Sequence, residues 1–237
     1  MILPAAWVGK KIYDACQQEA PLPSASTHTP PQPLRFEERG DLAGPKVLVI
    51  GRTGAGKSSL INMLSGRSSL ATGPVTSTTR WVEGVRVKLA DREILLVDTP
   101  GYGEVHTAND YYERLVNYVK DQRGSIRMIL LVLQADAKAY ADDYRIFCQV
   151  LGVRPGIPVI VIVNQVDKLM PIRQPLESDS WSIERMNNTL KSYHIAEKLE
   201  EVSRQFELKR DRIEPSVSVD GGFNRNRLLA LISEHLS

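Results

Sequence analysis

The chain has 237 residues, 42% of them hydrophobic, and its 30 Lys+Arg against 28 Asp+Glu leave a formal net charge of +2. That apolar content supports a packed core, and the near-neutral balance excludes a chain-wide pull toward nucleic acid or anionic membrane. The two cysteines, Cys16 and Cys148, lie too far apart for a disulfide framework or a zinc motif and point to a reducing compartment. The longest apolar runs are strand-sized, well short of the roughly 20 residues a membrane helix requires.

Residues 1–9 are apolar, but Lys10 and Lys11 follow them rather than precede them, the wrong polarity for a secretory signal. Residues 1–20 read as a short helix with Trp7, Val8, Ile12 and Cys16 on one side. With only two nearby lysines, it would hold a membrane surface weakly. Residues 21–33 are rich in proline and serine, as a linker or extended arm is. The expected division is therefore an arm over 1–40 and one folded domain over 41–237.

From there the pattern alternates. Strands are expected at 46–51, 84–90, 93–98, 127–134, 157–164 and 215–219, and helices at 57–66, 108–122, 140–151, 185–209 and 224–236. Alternating βα units imply an α/β fold with helices on both faces of a mostly parallel sheet, here of six strands. The runs MILLVL (128–133) and VIVIV (159–163) are continuously apolar, as central parallel strands are. Segments 84–90 and 93–98 are separated by two residues, Asp91 and Arg92. That predicts a hairpin, hence one antiparallel pair with 84–90 at the sheet edge. In the long helix, Ile195, Leu199, Val202 and Phe206 mark one buried face. Asp142, Asp143 and Tyr144 read as the exposed start of a helix, where acids favour the dipole.

Between the first strand and the first helix stands GRTGAGKS (51–58), which fits the phosphate-loop pattern G-x-x-x-x-G-K-[ST] in the strand–loop–helix setting it needs. Glycines let the backbone N–H groups face a polyphosphate, and the helix N-terminus favours its charge. Gly51, Thr53, Gly54, Ala55, Gly56, Lys57, Ser58 and Ser59 form the expected cradle. Lys57 would reach the β- and γ-phosphates, and Ser58 would ligate Mg²⁺.

Three further segments choose the nucleotide and the output. At the end of strand 93–98, Asp98, Thr99, Pro100 and Gly101 read D-x-x-G. The acid can hold Mg²⁺ through water, and the Gly101 N–H can sense the γ-phosphate, whose loss frees the following loop. Thr76, Ser77, Thr78 and Thr79 precede the edge strand; Thr79, with Thr78 as alternate, can complete the metal shell. At the end of strand 157–164, Asn164, Gln165 and Asp167 read N-x-x-D. A carboxylate accepts from guanine N1–H and its 2-amino group but meets a lone pair on adenine N1. Such mismatches discriminate by roughly 10⁴ or more in favourable sites. Arg52, Arg80, Glu104 and His106 are further groups near the phosphates whose default reading is a solvated surface.

In these motifs the chain resembles the Era-like group of the translation-factor-related GTPases, and in LQADAKAY (133–140) together with TGAGKSSL (53–60) it resembles a bacterial subgroup within it labelled 50S-ribosome-binding GTPase. The resemblance covers about residues 41–237. It implies a three-layer P-loop G domain, GTP and GDP as ligands with Mg²⁺, and slow GTP hydrolysis as a conformational switch. The expected location is cytoplasmic and the expected partner an unidentified protein or ribosomal component, the family label by itself being no evidence of ribosome binding; neither DNA nor a membrane is the expected partner. It also places the fifth, base-supporting loop at Ser218 and Val219. Lys57, Thr79 and Gly101 then take the catalytic roles, and Ser58, Thr79 and Asp98 the metal.

Three departures from the family pattern carry expectations. Gln165 replaces a lysine whose stem covers the base and braces the phosphate loop, so guanine affinity should be weaker at retained selectivity. Gly54 replaces the asparagine of potassium-activated relatives, so potassium stimulation is not expected. Tyr102 replaces the glutamine that orients water, so unaided hydrolysis should be no faster than ~10⁻⁴ s⁻¹. A partner, or nucleotide-dependent dimerisation, would then supply the missing group. Two alternatives remain at this stage: a nucleotide-gated recruitment module with negligible turnover, and a self-assembling membrane-associated GTPase.

Overall fold

The computed structural model describes residues 36–70, 81–89, 92–103, 108–169, 189–218 and 222–236. Strands β1 (Glu38–Arg39), β2 (Lys46–Gly51), β3 (Val82–Lys88), β4 (Glu93–Asp98), β5 (Ile126–Gln134), β6 (Val159–Asn164) and β7 (Ile213–Ser216) form one sheet in the order β1-β3-β4-β2-β5-β6-β7. Helices α1 (Lys57–Ser65), α2 (Ala108–Asp121), α3 (Ala141–Val153), α4 (Thr189–Phe206) and α5 (Arg225–His235) alternate with the strands. Every pairing is parallel except β3 with β4, which runs antiparallel from Glu83↔Asp98 to Lys88↔Glu93. The predicted hairpin is therefore present.

Two expectations need correction. The sheet has seven strands among the described residues, and the edge is β1, not β3. β1 is too short to show any hydrophobic period; side-chain contacts fix it instead. Lys46 Nζ, buried at the start of β2, reaches Glu38 Oε1 at 2.5 Å and Gln122 Oε1 at 2.9 Å. Tyr118 donates to the same Glu38 oxygen at 2.8 Å. Phe36 stacks edge-on against Tyr111 at 5.3 Å. The sheet thus takes in residues ahead of position 41. The second correction concerns the start of α3. Asp143 is 1% exposed and Tyr144 packs on the core, so this turn is not a solvated helix start.

All six residues of β2 and all six of β6 are buried, because helices cover both faces of a parallel sheet. Successive side chains alternate between the two layers. Leu48 and Ile50 face a core shared with Tyr111, Leu115, Ile146 and the α4 stripe Ile195, Leu199, Val202 and Phe206. Val47 and Val49 face the other layer, with Leu60, Ile61 and Leu64 of α1 and Leu228, Leu231 and Ile232 of α5. The predicted stripe on α4 is buried throughout. No helix among the described residues is long and apolar enough to cross a membrane.

Candidate nucleotide-binding site

The loop after β2, the end of β4, the end of β6 and the end of β7 all open at the carboxyl edge of the sheet, where open α/β folds bind ligands. The 51–58 loop curls through Gly54 (φ 82) and Gly56 (φ 87), the latter standing immediately before α1. Gly56 has a second reason to lack a side chain: a Cβ there would strike the Asn164 amide. Positive φ and close approach together account for the motif's second glycine.

Lys57 is buried, and its Nζ donates to the Arg52 carbonyl at 3.1 Å. Burial holds its ammonium below the usual lysine range, and the nearby Asp98 charge partly restores it. Ser58 Oγ donates to Asp98 Oδ2 at 2.5 Å. Asp98 is fully buried, and next to it Thr99 anchors the strand end by donating to the Val49 carbonyl at 2.9 Å. The predicted phosphate-reaching lysine and the two predicted metal oxygens therefore sit together at the mouth of the loop. Mg²⁺ takes one or two protein oxygens plus substrate phosphates rather than an all-protein cage. The Ser58–Asp98 pair suits that mode, and no cluster of three metal-ligating acids, histidines or cysteines occurs among the described residues.

On the other flank, Asn164 is buried and bonded on both sides. Its Nδ2 donates to the Ala55 carbonyl at 2.8 Å, and its Oδ1 accepts from Ser218 Oγ at 2.8 Å. One amide thus joins the phosphate loop, the β6 end and the β7 end. Gln165, in a left-handed conformation (φ 63), donates to the Gly54 carbonyl at 2.8 Å and accepts from Lys168 at 2.5 Å. The glutamine therefore braces the phosphate loop by a hydrogen bond from its amide, whereas the sequence reading weighed only its shorter stem. Gln134, at the end of β5, supports it from behind at 3.3 Å. Asp167 lies half-buried in the single 3-10 turn Val166–Lys168 that follows.

Gly101 packs directly on Thr53, for a Cβ on it would lie 2.5 Å from Thr53 Oγ1 and 2.6 Å from the Thr53 nitrogen. The Thr53 N–H donates to the Tyr102 carbonyl at 2.9 Å. Tyr102, read from the sequence as unable to position water, is buried. Its side chain is turned into the interior, where its hydroxyl donates to Asp143 Oδ1 at 2.5 Å. Burial first, and then the Asp143 charge, push the phenol well above its ordinary range. Arg52 extends over the rim to Asp142 at 3.4 Å. Sequence reasoning missed Asp143 and Gln134 as supports of the site; each acts through a partner distant in sequence. Thr78, Thr79, Arg80, Glu104, His106 and Val219 lie outside the described residues.

Comparison with known proteins agrees with this geometry. The family model described as 50S ribosome-binding GTPase matches residues 46–165, just over half of the chain. The uncharacterized protein YkfA of Escherichia coli is 32% identical over 127 residues, covering 54% of this chain and 43% of its own length. The probable GTP-binding protein EngB of Aquifex aeolicus is 31% identical over 137 residues, covering 56% and 72%. GTPase Era of Halothermothrix orenii is 34% identical over 124 residues, covering 52% and 40%. The chain thus matches less than half the length of YkfA and of that Era. Among solved structures, Era bound to MgGDPNP and a fragment of 16S ribosomal RNA superposes with a TM-score of 0.61 at 22% identity, over 83% of this chain and 58% of that one. A probable GTP-binding protein engB gives 0.55 at 20% identity, over 81% and 98%. At those identities the structural likeness bears on the fold alone. With the phosphate loop, D-x-x-G and N-x-x-D gathered at one edge of the sheet, the chain belongs to the 50S ribosome-binding GTPase family of P-loop G domains.

Proposed function

We propose that this protein binds GTP and GDP through the site just described and hydrolyses GTP slowly in the cytoplasm, as a switch read by a protein or ribosomal partner. The observation that carries the reading is the Asn164 amide, which ties the base-side strand end to the Ala55 carbonyl of the phosphate loop. A base bound at Asn164 and Asp167 and a phosphate bound at Lys57 then belong to one ligand. Asp167 selects guanine as argued from its chemistry, and Ser218 with Val219 supports the base. Gly51, Thr53, Gly54, Ala55, Gly56 and Ser59 line the phosphates with Lys57.

Ser58, Thr79 and Asp98 would hold Mg²⁺, which when bound supplies positive charge against the phosphate oxygens. Lys57 brings a desolvated ammonium to the same oxygens, where a low local dielectric strengthens its effect. Gly101 meets the γ-phosphate and marks its presence. Attack by water is in line with the bond to the leaving diphosphate. The buried Tyr102 hydroxyl is committed to Asp143 and offers nothing to that water, which supports a low unaided rate. A macromolecular partner or a second copy of the chain would supply the missing group.

Phosphate release from GTP, measured with and without Mg²⁺ over a range of protein concentrations, tests this. Slow, Mg²⁺-dependent release is expected. A rise per molecule with concentration would assign the missing group to self-association, and a flat rate to a foreign partner. Release that is fast at every concentration would refute the switch reading. Undetectable release with intact GTP binding would favour the recruitment module.

A further inference from the structure

We infer that Tyr102 and Asp143 form a positioning pair that holds the γ-phosphate sensor in place before nucleotide arrives; the inference rests on the guanine-nucleotide reading above. Parallel pairing of β2 with β4 ends at Val49↔Asp98, yet one further parallel bridge joins Arg52 to Tyr102. The backbone of residues 99–102 is thereby zipped onto the phosphate loop. Four hydrogen bonds fix it. Thr99 donates to the Val49 carbonyl at 2.9 Å, and the Thr53 N–H donates to the Tyr102 carbonyl at 2.9 Å. Tyr111 of α2 donates to the Pro100 carbonyl at 2.8 Å. The fourth, Tyr102 to Asp143, is the shortest at 2.5 Å and crosses to α3.

The pair is buried: Tyr102 is 2% exposed and Asp143 1%. The Tyr102 ring also packs on Tyr111 at 5.6 Å between centroids. Asp143 Oδ1 accepts the phenol, while Oδ2 has no hydrogen-bond partner in the interior. Burial raises the carboxyl above its usual range, and the Tyr102 hydrogen bond pulls it back down. A buried acid with one oxygen left without a partner is an expensive arrangement for packing alone. Its position explains it. Gly101, one residue before Tyr102, must lie against Thr53 to meet a phosphate held by that loop, and it already does.

A triphosphate uses Gly101 and a diphosphate does not. Ordering the sensor in advance therefore removes an entropic cost from GTP binding and leaves GDP binding untouched. Pinning Tyr102 to α3 also gives the sensor a rigid helix to act on when the γ-phosphate leaves. Neither residue touches nucleotide; both act through Gly101.

The test is the ratio of GTP-analogue to GDP affinity, measured by fluorescence titration with non-hydrolysable GTP and with GDP. The proteins are wild type, Tyr102→Phe, Asp143→Leu and Asp143→Asn, each with its thermal midpoint recorded. Tyr102→Phe keeps the ring and removes the donor; Asp143→Leu removes the acceptor. Both are expected to weaken the triphosphate analogue by about 5- to 10-fold relative to GDP. Asp143→Asn keeps a carbonyl acceptor for the phenol and is expected to restore the wild-type ratio. Equal losses for both nucleotides, or an unchanged ratio with only a lowered midpoint, would overturn the proposal and leave the pair a packing feature. A wild-type protein that binds ATP as well as GTP would instead remove the guanine reading beneath it, a result that the wild-type titrations give separately.

Discussion

Replacing Asn164 by alanine removes the one side chain that touches three parts of the site. Two hydrogen bonds go, to the Ala55 carbonyl and from Ser218 Oγ, both at 2.8 Å. Each is worth about 1 kcal/mol net. Ala55 is fully buried, so its carbonyl is also left without a partner, which adds about 1–2 kcal/mol. Ser218 is half-buried and can turn its hydroxyl to water, so its loss adds little. The sum is about 3–4 kcal/mol. For a domain of this size that lowers the thermal midpoint by about 6–16 °C, since 1 kcal/mol corresponds to roughly 2–4 °C. Ser218→Ala removes one bond and leaves the buried Asn164 Oδ1 without a donor, so it is expected to cost about 2–3 kcal/mol, or ~4–12 °C. Asn164→Asp should be worse than alanine, because it sets a carboxylate oxygen against the Ala55 carbonyl. Calorimetric unfolding of the four proteins without nucleotide reads the order directly. If Asn164→Ala unfolds no earlier than Ser218→Ala, the claim that this amide joins loop to strand ends is wrong.

Three other outcomes are expected. Asp167→Asn replaces an acceptor by a donor, so guanine nucleotides should bind at least tenfold more weakly. Xanthine nucleotides, whose C2 carbonyl can accept, should gain; competition binding with both bases reads this, and unchanged guanine affinity would remove Asp167 from the base site. Gly101→Ala places a methyl group against Thr53 backbone atoms and should cost about 1–3 kcal/mol by urea unfolding, with loss of γ-phosphate discrimination; a fully stable, discriminating variant would show that Gly101 does not seat on the loop. The last concerns pH. Asp143 faces Tyr102, Arg52 of the phosphate loop, Asp142 on its own helix, Tyr112 of α2 and Tyr140 ahead of α3. Its folded pKa is raised above 3.8 by burial, so the folded state binds more protons and wild-type stability falls as pH rises through that raised value. Asp143→Asn lacks this term. Its stability relative to wild type should therefore increase as pH rises from the ordinary carboxylate range toward that raised value; a difference that stays constant, or shrinks, as pH rises would contradict the assignment.

Much of this was legible in the residues. The phosphate loop, D-x-x-G and N-x-x-D place their chemistry by local spacing, and the continuous apolar strands and the α4 stripe declare burial by composition. What was not legible depends on distant partners. β1 is two residues whose place is set by a Lys46–Glu38 contact and by aromatic packing on Tyr111 and Tyr118. Asp143 looked like a solvated acid at a helix start because a one-dimensional pattern does not show a phenol 41 residues away. Tyr102 was noticed for what it could not do in the site, while its position follows from packing on Tyr111 of α2 and a hydrogen bond to Asp143 of α3, which the sequence does not outline. Gln165 was read by the length of its stem, and its amide proved to be the part that reaches Gly54.

The most direct test of the account is a competition titration of wild-type protein with GTP, GDP and ATP in the presence of Mg²⁺. The chemistry of Asn164, Asp167 and the phosphate loop predicts selective binding of both guanine nucleotides and an ATP affinity lower by roughly three or more powers of ten. Equal affinity for ATP and GTP would contradict it, since an acceptor at Asp167 cannot serve both bases.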